Sequence, residues 1–154
     1  GCNARMGVRV IIERAMHRFH GVICLDSGLY HSLLGLEQDA AMQRHPKLGA
    51  SWEGFALEEI LRFVRASEEE AYFWATHGEA ELDLLVIKGG QRFGFEVKYA
   101  SAPRLTPSMR IAMRDLGLSR LSVIFPGEGR YPLAQGVEAV GLGELAAGRL
   151  FAVS

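Results

Sequence analysis

The chain has 154 residues, of which 49% are hydrophobic, and its formal net charge is −1 at pH 7. This length and apolar content predict one globular domain with a proper core and exclude an intrinsically disordered chain. The near-zero charge excludes a global basic field for nucleic acid, although local basic patches are compatible with it.

The two cysteines, Cys2 and Cys24, form neither a disulfide framework nor a zinc-ligand pattern, which indicates a reducing, cytoplasmic setting. No apolar run approaches the roughly 20 residues that span a bilayer, so no membrane partner is expected. Residues 1–20 are interpreted as an N-terminal lead or the remnant of an upstream part, with a short helix predicted over residues 8–19. One domain is predicted over residues 21–154.

The first predicted elements of that domain are a strand over residues 21–25 and helices over residues 29–34 and 37–44. A longer helix is predicted over residues 51–66, with Ser51 as its N-cap. Glu53 lies one turn before the apolar stripe of this helix and on the same side, so it is expected to be paired, bound to a metal or in water near the mouth of the helix. The alternative is that Glu53 only favours the positive N-terminal end of the helix. The stripe consists of Leu57, Ile60, Leu61 and Val64.

A meander of three antiparallel strands is predicted after this helix. Its first strand covers residues 72–75, and a turn at His77-Gly78 leads into the second. Counting outward from that turn places Trp74 opposite Glu81. The second and third strands lie within residues 80–99, which form the part of the chain with the strongest pattern.

Gly89-Gly90 stands between the last two strands of the meander. Both central positions of a type I′ turn need positive φ, so a Gly-Gly pair between alternating runs predicts a two-residue hairpin. With this turn Lys88 faces Gln91, and counting outward places Asp83 directly opposite Glu96.

Glu96 and Lys98 share one face of the third strand, and Asp83 joins them across the ladder. Like charges placed directly opposite each other destabilise a sheet, so something must offset the two carboxylates. A divalent cation, Lys98 alone, or simple solvation of the face are the alternatives, and the pattern by itself favours solvation. The opposite face of the strand is predicted to be core and carries Phe93, Phe95, Val97 and Tyr99.

Another helix is predicted after a loop, with Thr106 as its N-cap and Pro107 at its first position. This helix is expected to end at Gly117. Arg110 and Arg114 lie four residues apart on one side of it, where a solvated face is favoured over phosphate contact. The remaining predicted elements are strands over residues 121–125, 131–133 and 137–140 and a last helix over residues 143–150.

The order of these elements predicts an α/β fold with a mixed central sheet flanked by helices. One helix joins the third and fourth strands, and such a crossover places them parallel. The core order is therefore helix, three strands, helix, strand (αβββαβ). The sequence contains neither a Walker A pattern nor a dinucleotide-binding fingerprint.

Asp83, the triplet Glu96-Val97-Lys98 and the helical Glu53 together resemble the motif of the PD-(D/E)XK nuclease-like superfamily. Leu82 stands where many members have the proline of that motif. More narrowly, several segments are similar to a family of unknown function that forms the C-terminal part of AAA-type P-loop ATPases in bacteria and archaea. These segments are Asp26-Ser-Gly-Leu29, Leu33-Leu-Gly35, residues 49–55, Glu81-Leu-Asp83 and Glu96-Val-Lys98, and the resemblance covers about residues 20–145.

The resemblance implies a restriction-endonuclease-like fold and metal-dependent hydrolysis of phosphodiesters in nucleic acid, with DNA favoured over RNA. Asp83, Glu96 and the Val97 carbonyl would hold Mg²⁺ or Mn²⁺, and Glu53 would bind the metal through water or hold a second one. Lys98 would orient a water molecule or stabilise charge on phosphorus. It also implies an upstream ATPase domain as partner. The alternative is a catalytically inactive module of the same fold that mediates protein or DNA interaction for the ATPase.

Overall fold

The computed structural model describes residues 10–14, 46–78 and 80–150. These residues form one seven-stranded mixed sheet and three helices, and the order αβββαβ runs from α1 to β5 as predicted. The strands are β1 (Val10–Arg14), β2 (Ala71–Thr76), β3 (Glu81–Lys88), β4 (Gln91–Val97), β5 (Arg120–Phe125), β6 (Arg130–Ala134) and β7 (Val137–Gly141). The helices are α1 (Pro46–Val64), α2 (Pro107–Leu116) and α3 (Leu142–Ala146).

The spatial order of the strands is β1-β2-β3-β4-β5-β7-β6. Strands β1 to β4 are antiparallel neighbours, whereas β4 with β5 and β5 with β7 are parallel. The third strand of the meander was predicted to lie parallel to the strand that follows the next helix. This prediction is confirmed, because α2 joins β4 to β5 and these two strands are parallel. No helix in the described ranges combines the length and apolar character that a membrane span requires.

The two faces of the sheet bury separate cores, one under α1 and the other under α2. Strand β4 alternates between them as predicted, with Phe93, Phe95 and Val97 in the α1 core and Tyr99 packed against it. Gly94 faces the α2 core, where a Cβ atom would lie 2.6 Å from a methyl group of Leu118. The alternation therefore places Glu96 on the α2 side of the sheet, opposite to the aromatic face.

The predicted helix over residues 8–19 is wrong where the structure describes it, because Val10–Arg14 forms edge strand β1. This strand pairs with β2 from Val10↔Thr76 to Arg14↔Tyr72. Its Val-Ile-Ile run is β-branched and suits a pleated sheet better than a helix. The elements predicted over residues 21–44, the two cysteines and the motif from Asp26 to Gly35 lie outside the described residues.

Helix α1 begins at Pro46, so Ser51 lies inside the helix and the N-cap prediction is wrong. Proline is favoured in the first turn, where its missing N–H would have no intrahelical partner. At the other end, Lys88 Nζ donates hydrogen bonds of 3.1 Å to the carbonyl oxygens of both Val64 and Arg65. Arg65 has φ 51°, which is the left-handed conformation of a helix C-terminus. A lysine beside the β3–β4 turn thus caps α1.

The predicted hairpin is confirmed: Lys88 pairs with Gln91, and Gly89 and Gly90 have φ values of 58° and 76°. The preceding connection differs by one residue from the prediction. Trp74 pairs with Leu82 rather than with Glu81. The Thr76 N–H donates to the Ala80 carbonyl, which leaves three residues in the turn where two were expected.

Helix α2 has the predicted boundaries. The Thr106 side chain accepts a hydrogen bond of 3.3 Å from the Met109 N–H, and Pro107 occupies the first turn. Gly117 ends the helix with φ 58° and ψ 47°. Arg110 and Arg114 are both exposed, as the solvated-face interpretation predicts.

Gly141, at the end of β7, offers a first prediction. A Cβ atom there would lie 2.4 Å from the Gly127 carbonyl oxygen and 2.8 Å from Glu128 Cα, and these backbone atoms cannot rotate away. We expect Gly141→Ala to lower the free energy of unfolding by about 2 to 3 kcal/mol, measured by urea denaturation. Gly94→Ala is the control, because its Cβ would meet only the ends of leucine side chains. Equal losses in the two variants would contradict the steric explanation.

Candidate active site

Strand β3 contains a bulge at the position of Asp83. The pairs Tyr72↔Leu85 and Trp74↔Leu82 are two residues apart on β2 but three apart on β3. On its other side, β3 pairs with β4 only as far as Leu84↔Phe95. Bulges of this kind re-aim side chains and end regular pairing, and they are frequent beside active sites. Asp83 therefore lies where the regular pairing of β3 with β4 ends and the pairing with β2 changes register.

The Asp83 carboxylate bridges the gap between β3 and β4. Its Oδ2 atom accepts a hydrogen bond of 2.8 Å from the Val97 N–H. If the ladder of β3 and β4 continued without interruption, the counting would pair Val97 with Leu82 instead. The Val97 N–H thus donates to an aspartate oxygen instead of a main-chain carbonyl oxygen. This hydrogen bond holds the Asp83 carboxylate beside the end of β4.

Glu96 lies next to this carboxylate and is nearly buried, with only 2% of its surface exposed. Burial, followed by the negative charge of Asp83 and a hydrogen bond to it, raises the pKa of Glu96 to about 10. A carboxyl with such a pKa is protonated at neutral pH, so Glu96 donates a hydrogen bond to the Asp83 side chain. Asp83 and Glu96 thus lie side by side as predicted, although the ladder ends at Leu84↔Phe95 and does not include the predicted Asp83↔Glu96 pair. The two groups share the Glu96 proton through this hydrogen bond.

Lys98 follows β4, and its main-chain N–H donates a hydrogen bond of 2.9 Å to the Ile124 carbonyl of β5. Its Nζ atom lies 3.8 Å from Glu96 Oε2, and 43% of the side chain is exposed. Lys98 lowers the pKa of Glu96, but burial and Asp83 raise it by more. The Lys98 side chain is therefore close to the carboxyl pair and stays accessible from solvent.

Glu53 projects from α1 at the edge of this group. Partial burial and then the charge of Asp83 raise its pKa, whereas Lys98 lowers it. Its side chain is nevertheless exposed. Within residues 46–78 and 80–150, no three side chains of His, Cys, Asp or Glu are placed to hold one metal ion together. The structure brings together Asp83, Glu96 and Lys98 and leaves Glu53 at the periphery.

Two further residues belong to this region, and the sequence analysis gave them no role. Glu81 is exposed and contributes to the raised pKa values of Glu53 and Glu96. Its spacing of two residues from Asp83 was the available signal, since such residues share a face in a regular strand. Ser108 of α2 hydrogen-bonds the main chain of Glu81. No local pattern indicates that contact, because it joins positions 27 residues apart.

The family model described as "Domain of unknown function (DUF4143)" matches residues 48–145. The chain belongs to this family. This confirms the part of the resemblance that concerns a family of unknown function. The match includes α1 from residue 48 onward, the bulged strand β3 and the end of β4, so all the residues of the candidate site lie within it.

The DUF4143 domain also has curated relatives in two mycobacteria. The uncharacterized proteins Rv2008c of Mycobacterium tuberculosis and Mb2031c of Mycobacterium bovis are each 44% identical to it over 129 residues. The aligned region is 84% of this chain but only 29% of each relative. Among solved structures, protein VC1899 from Vibrio cholerae aligns with a TM-score of 0.40 and 14% identity, covering 69% of this chain and 34% of its own.

The carboxyl pair of the DUF4143 domain fits a hard divalent cation. Carboxylate oxygens are the ligands that Mg²⁺ and Mn²⁺ prefer, and Asp83 and Glu96 present two carboxyl groups side by side. In the metal-free protein, the shared proton offsets the repulsion between the two carboxyl groups, which a bound cation would otherwise offset. Cation binding at this pair requires release of that proton, so its affinity increases with pH.

Proposed function

We propose that this DUF4143 domain is a metal-dependent phosphodiester hydrolase of the PD-(D/E)XK type that acts on nucleic acid, with DNA favoured over RNA. The observation that carries the proposal is the Asp83–Glu96 carboxyl pair at the bulge of β3, with the Lys98 ammonium 3.8 Å from Glu96. A buried acid pair with a strongly shifted pKa beside an accessible cation is a typical feature of functional sites.

Asp83, Glu96 and the Val97 carbonyl would hold Mg²⁺ or Mn²⁺, and Glu53 would reach the metal through water. When bound, the cation polarises a phosphodiester oxygen and lowers the pKa of a water molecule. The Val97 N–H fixes one oxygen of Asp83 through a 2.8 Å hydrogen bond. A ligand held by such a bond keeps its orientation when the shared proton leaves.

Lys98 performs the second task of the site. Its half-exposed ammonium group can approach a phosphate from the solvent side while its main chain is fixed to Ile124. There it stabilises negative charge on the phosphorus oxygens, or orients the attacking water through a hydrogen bond. Either task concerns the transition state rather than the binding of the cation.

The proposed partner within the full protein is an upstream ATPase domain. The chain spans 29% of the length of each mycobacterial relative, so most of those proteins lies outside the aligned region. An ATPase would supply motion or loading on nucleic acid, whereas the site described above would supply the chemistry.

A second candidate function is a catalytically inactive module that mediates protein or DNA interaction for the ATPase. The exposed Glu53 favours it, because the described residues do not place a third acidic ligand beside Asp83 and Glu96. In this alternative, the protonated carboxyl pair is a structural remnant that holds the ends of β3 and β4 together.

Thermal melting with and without Mn²⁺ tests the proposal. A cation that binds only the folded state stabilises it by about 2.7 kcal/mol at a hundredfold excess over Kd, so the melting temperature should rise. Asp83→Ala should abolish this shift, while Asp115→Ala should keep it, because Asp115 pairs with Arg114 on the exposed side of α2. An unchanged melting temperature of the wild type at millimolar Mn²⁺ would refute the cation site.

A further inference from the structure

Residues 81–83 form the segment of β3 that lies beside β2 but beyond the end of the pairing with β4. The β3–β4 pairing ends at Leu84↔Phe95, whereas on the β2 side the pairs Trp74↔Leu82 and Ala75↔Glu81 continue. Main-chain N–H and C=O groups at such a gap need other partners. The conformation of this segment determines where the Asp83 carboxylate is placed.

Ser108, in the first turn of α2, supplies those partners. Its Oγ atom accepts a hydrogen bond of 3.0 Å from the Glu81 N–H and donates one of 3.0 Å to the Glu81 carbonyl oxygen. One hydroxyl group thus makes both hydrogen bonds that a neighbouring strand would make. The helix that carries Ser108 is itself fixed at its start by the Thr106 cap.

We propose that Ser108 is a positioning residue for the Asp83 carboxylate. Ser108 holds Glu81 at one end of the segment, and the Val97 N–H holds Asp83 at the other. Only Leu82 lies between these two anchors, so the position of the carboxylate relative to Glu96 depends on both. The consequence for cation binding rests on the proposed function, whereas the positioning itself does not.

The Val97 amide provides a direct readout, because its hydrogen-bond acceptor is Asp83 Oδ2. In the metal-free protein, Ser108→Ala should increase the hydrogen-exchange rate of the Val97 amide about fivefold, the change expected for one weakened hydrogen bond. The Lys98 amide is the internal reference, since it donates to Ile124 on the other side of β4. Its rate should change by less than twofold, roughly the scatter expected when one local bond is lost.

Two matched variants separate positioning from general stability. Ser119→Ala removes the hydroxyl of an exposed serine beyond the other end of α2 and leaves the Thr106 cap and the Ser108–Glu81 hydrogen bonds in place, so the Val97 amide should stay protected relative to Lys98. Ser108→Thr keeps the hydroxyl and should restore the wild-type rate. Equal acceleration of both amides in S108A, or failure of S108T to restore protection, would overturn the proposal.

A Mn²⁺ titration of the same variants connects the positioning to the proposed function. Loss of a group that orients a metal ligand weakens affinity by about tenfold or more, so S108A should bind Mn²⁺ that much more weakly than S119A. If wild type and S108A bind Mn²⁺ equally well, Ser108 does not position a ligand. If the wild type binds no Mn²⁺, the proposed function fails, and the Val97 exchange rate still decides the role of Ser108.

Discussion

Replacing Lys98 by alanine should reduce cleavage of nucleic acid at least about a hundredfold, the loss typical when one group that stabilises the transition state is removed. Because Lys98 is half exposed and is not one of the proposed ligands of the cation, its removal should leave the Mn²⁺-induced melting shift intact. An interaction made only in the transition state lowers kcat and kcat/KM together. The assay should therefore report both constants on single-stranded, duplex and branched DNA and on RNA.

Lys88→Ala is the matched control for Lys98→Ala. It also removes a lysine of the β3–β4 region, but one that caps α1 through Val64 and Arg65 rather than facing the carboxyl pair. It should therefore lower stability while cleavage by the folded fraction persists. If Lys98→Ala instead mainly lowers stability, and added Mn²⁺ restores it, Lys98 has a structural role. If the wild type cuts none of the substrates, even when joined to the proposed upstream ATPase domain, the interaction-module alternative replaces the hydrolase proposal.

Glu96→Gln should stabilise the metal-free protein at pH 7 by an amount on the order of 3 kcal/mol. The pKa of Glu96 is about 10 in the folded protein, compared with 4.5 for an ordinary glutamate. Between these values the folded state retains a proton that the unfolded state releases. The contribution of Glu96 to the free energy of unfolding is therefore largest below pH 4.5 and decreases as the pH rises towards 10. Its limiting slope is about 1.4 kcal/mol per pH unit.

Glutamine mimics the protonated carboxyl and cannot ionise, so the variant should lack this part of the pH dependence. Urea denaturation in the presence of a chelator at several pH values measures the difference. Glu138→Gln is the control with the opposite sign, because two hydrogen bonds from Arg130 lower the pKa of Glu138 and favour its charged form. Parallel pH profiles for the wild type and Glu96→Gln would contradict a shared proton.

The convergence of Asp83 and Glu96 was predictable because it depends on local chemistry. Gly89-Gly90 determines the hairpin turn, and every pair from Lys88↔Gln91 to Leu84↔Phe95 follows by counting. The cap at Thr106 and the end at Gly117 were predictable for the same reason, since both are set by residues within the helix ends.

Features that depend on distant parts of the chain were not predictable in this way. The connection between β2 and β3 is one residue longer than the predicted turn at His77-Gly78, so counting from that turn placed Trp74 one residue away from its true partner. The bulge in β3 follows this pair and depends on pairing with β2, which no local pattern indicates. The edge strand β1 exists because β2 offers it a neighbour, whereas a short apolar run alone is compatible with helix or strand. The nearly buried state of Glu96, and hence its pKa, follows from packing and not from its neighbours in sequence.

The hydrogen bonds from Lys88 hold the C-terminal end of α1, so a rotation of the helix about this contact would displace its N-terminal part most. Glu53 lies 11 residues before Val64, a distance of about 16 Å along the helix axis. A tilt of about 10° around the Lys88 contact would displace Glu53 by about 3 Å relative to the Asp83–Glu96 pair. The position of Glu53 relative to the carboxyl pair therefore depends on the angle at which α1 lies against the sheet, and not only on its place in the sequence.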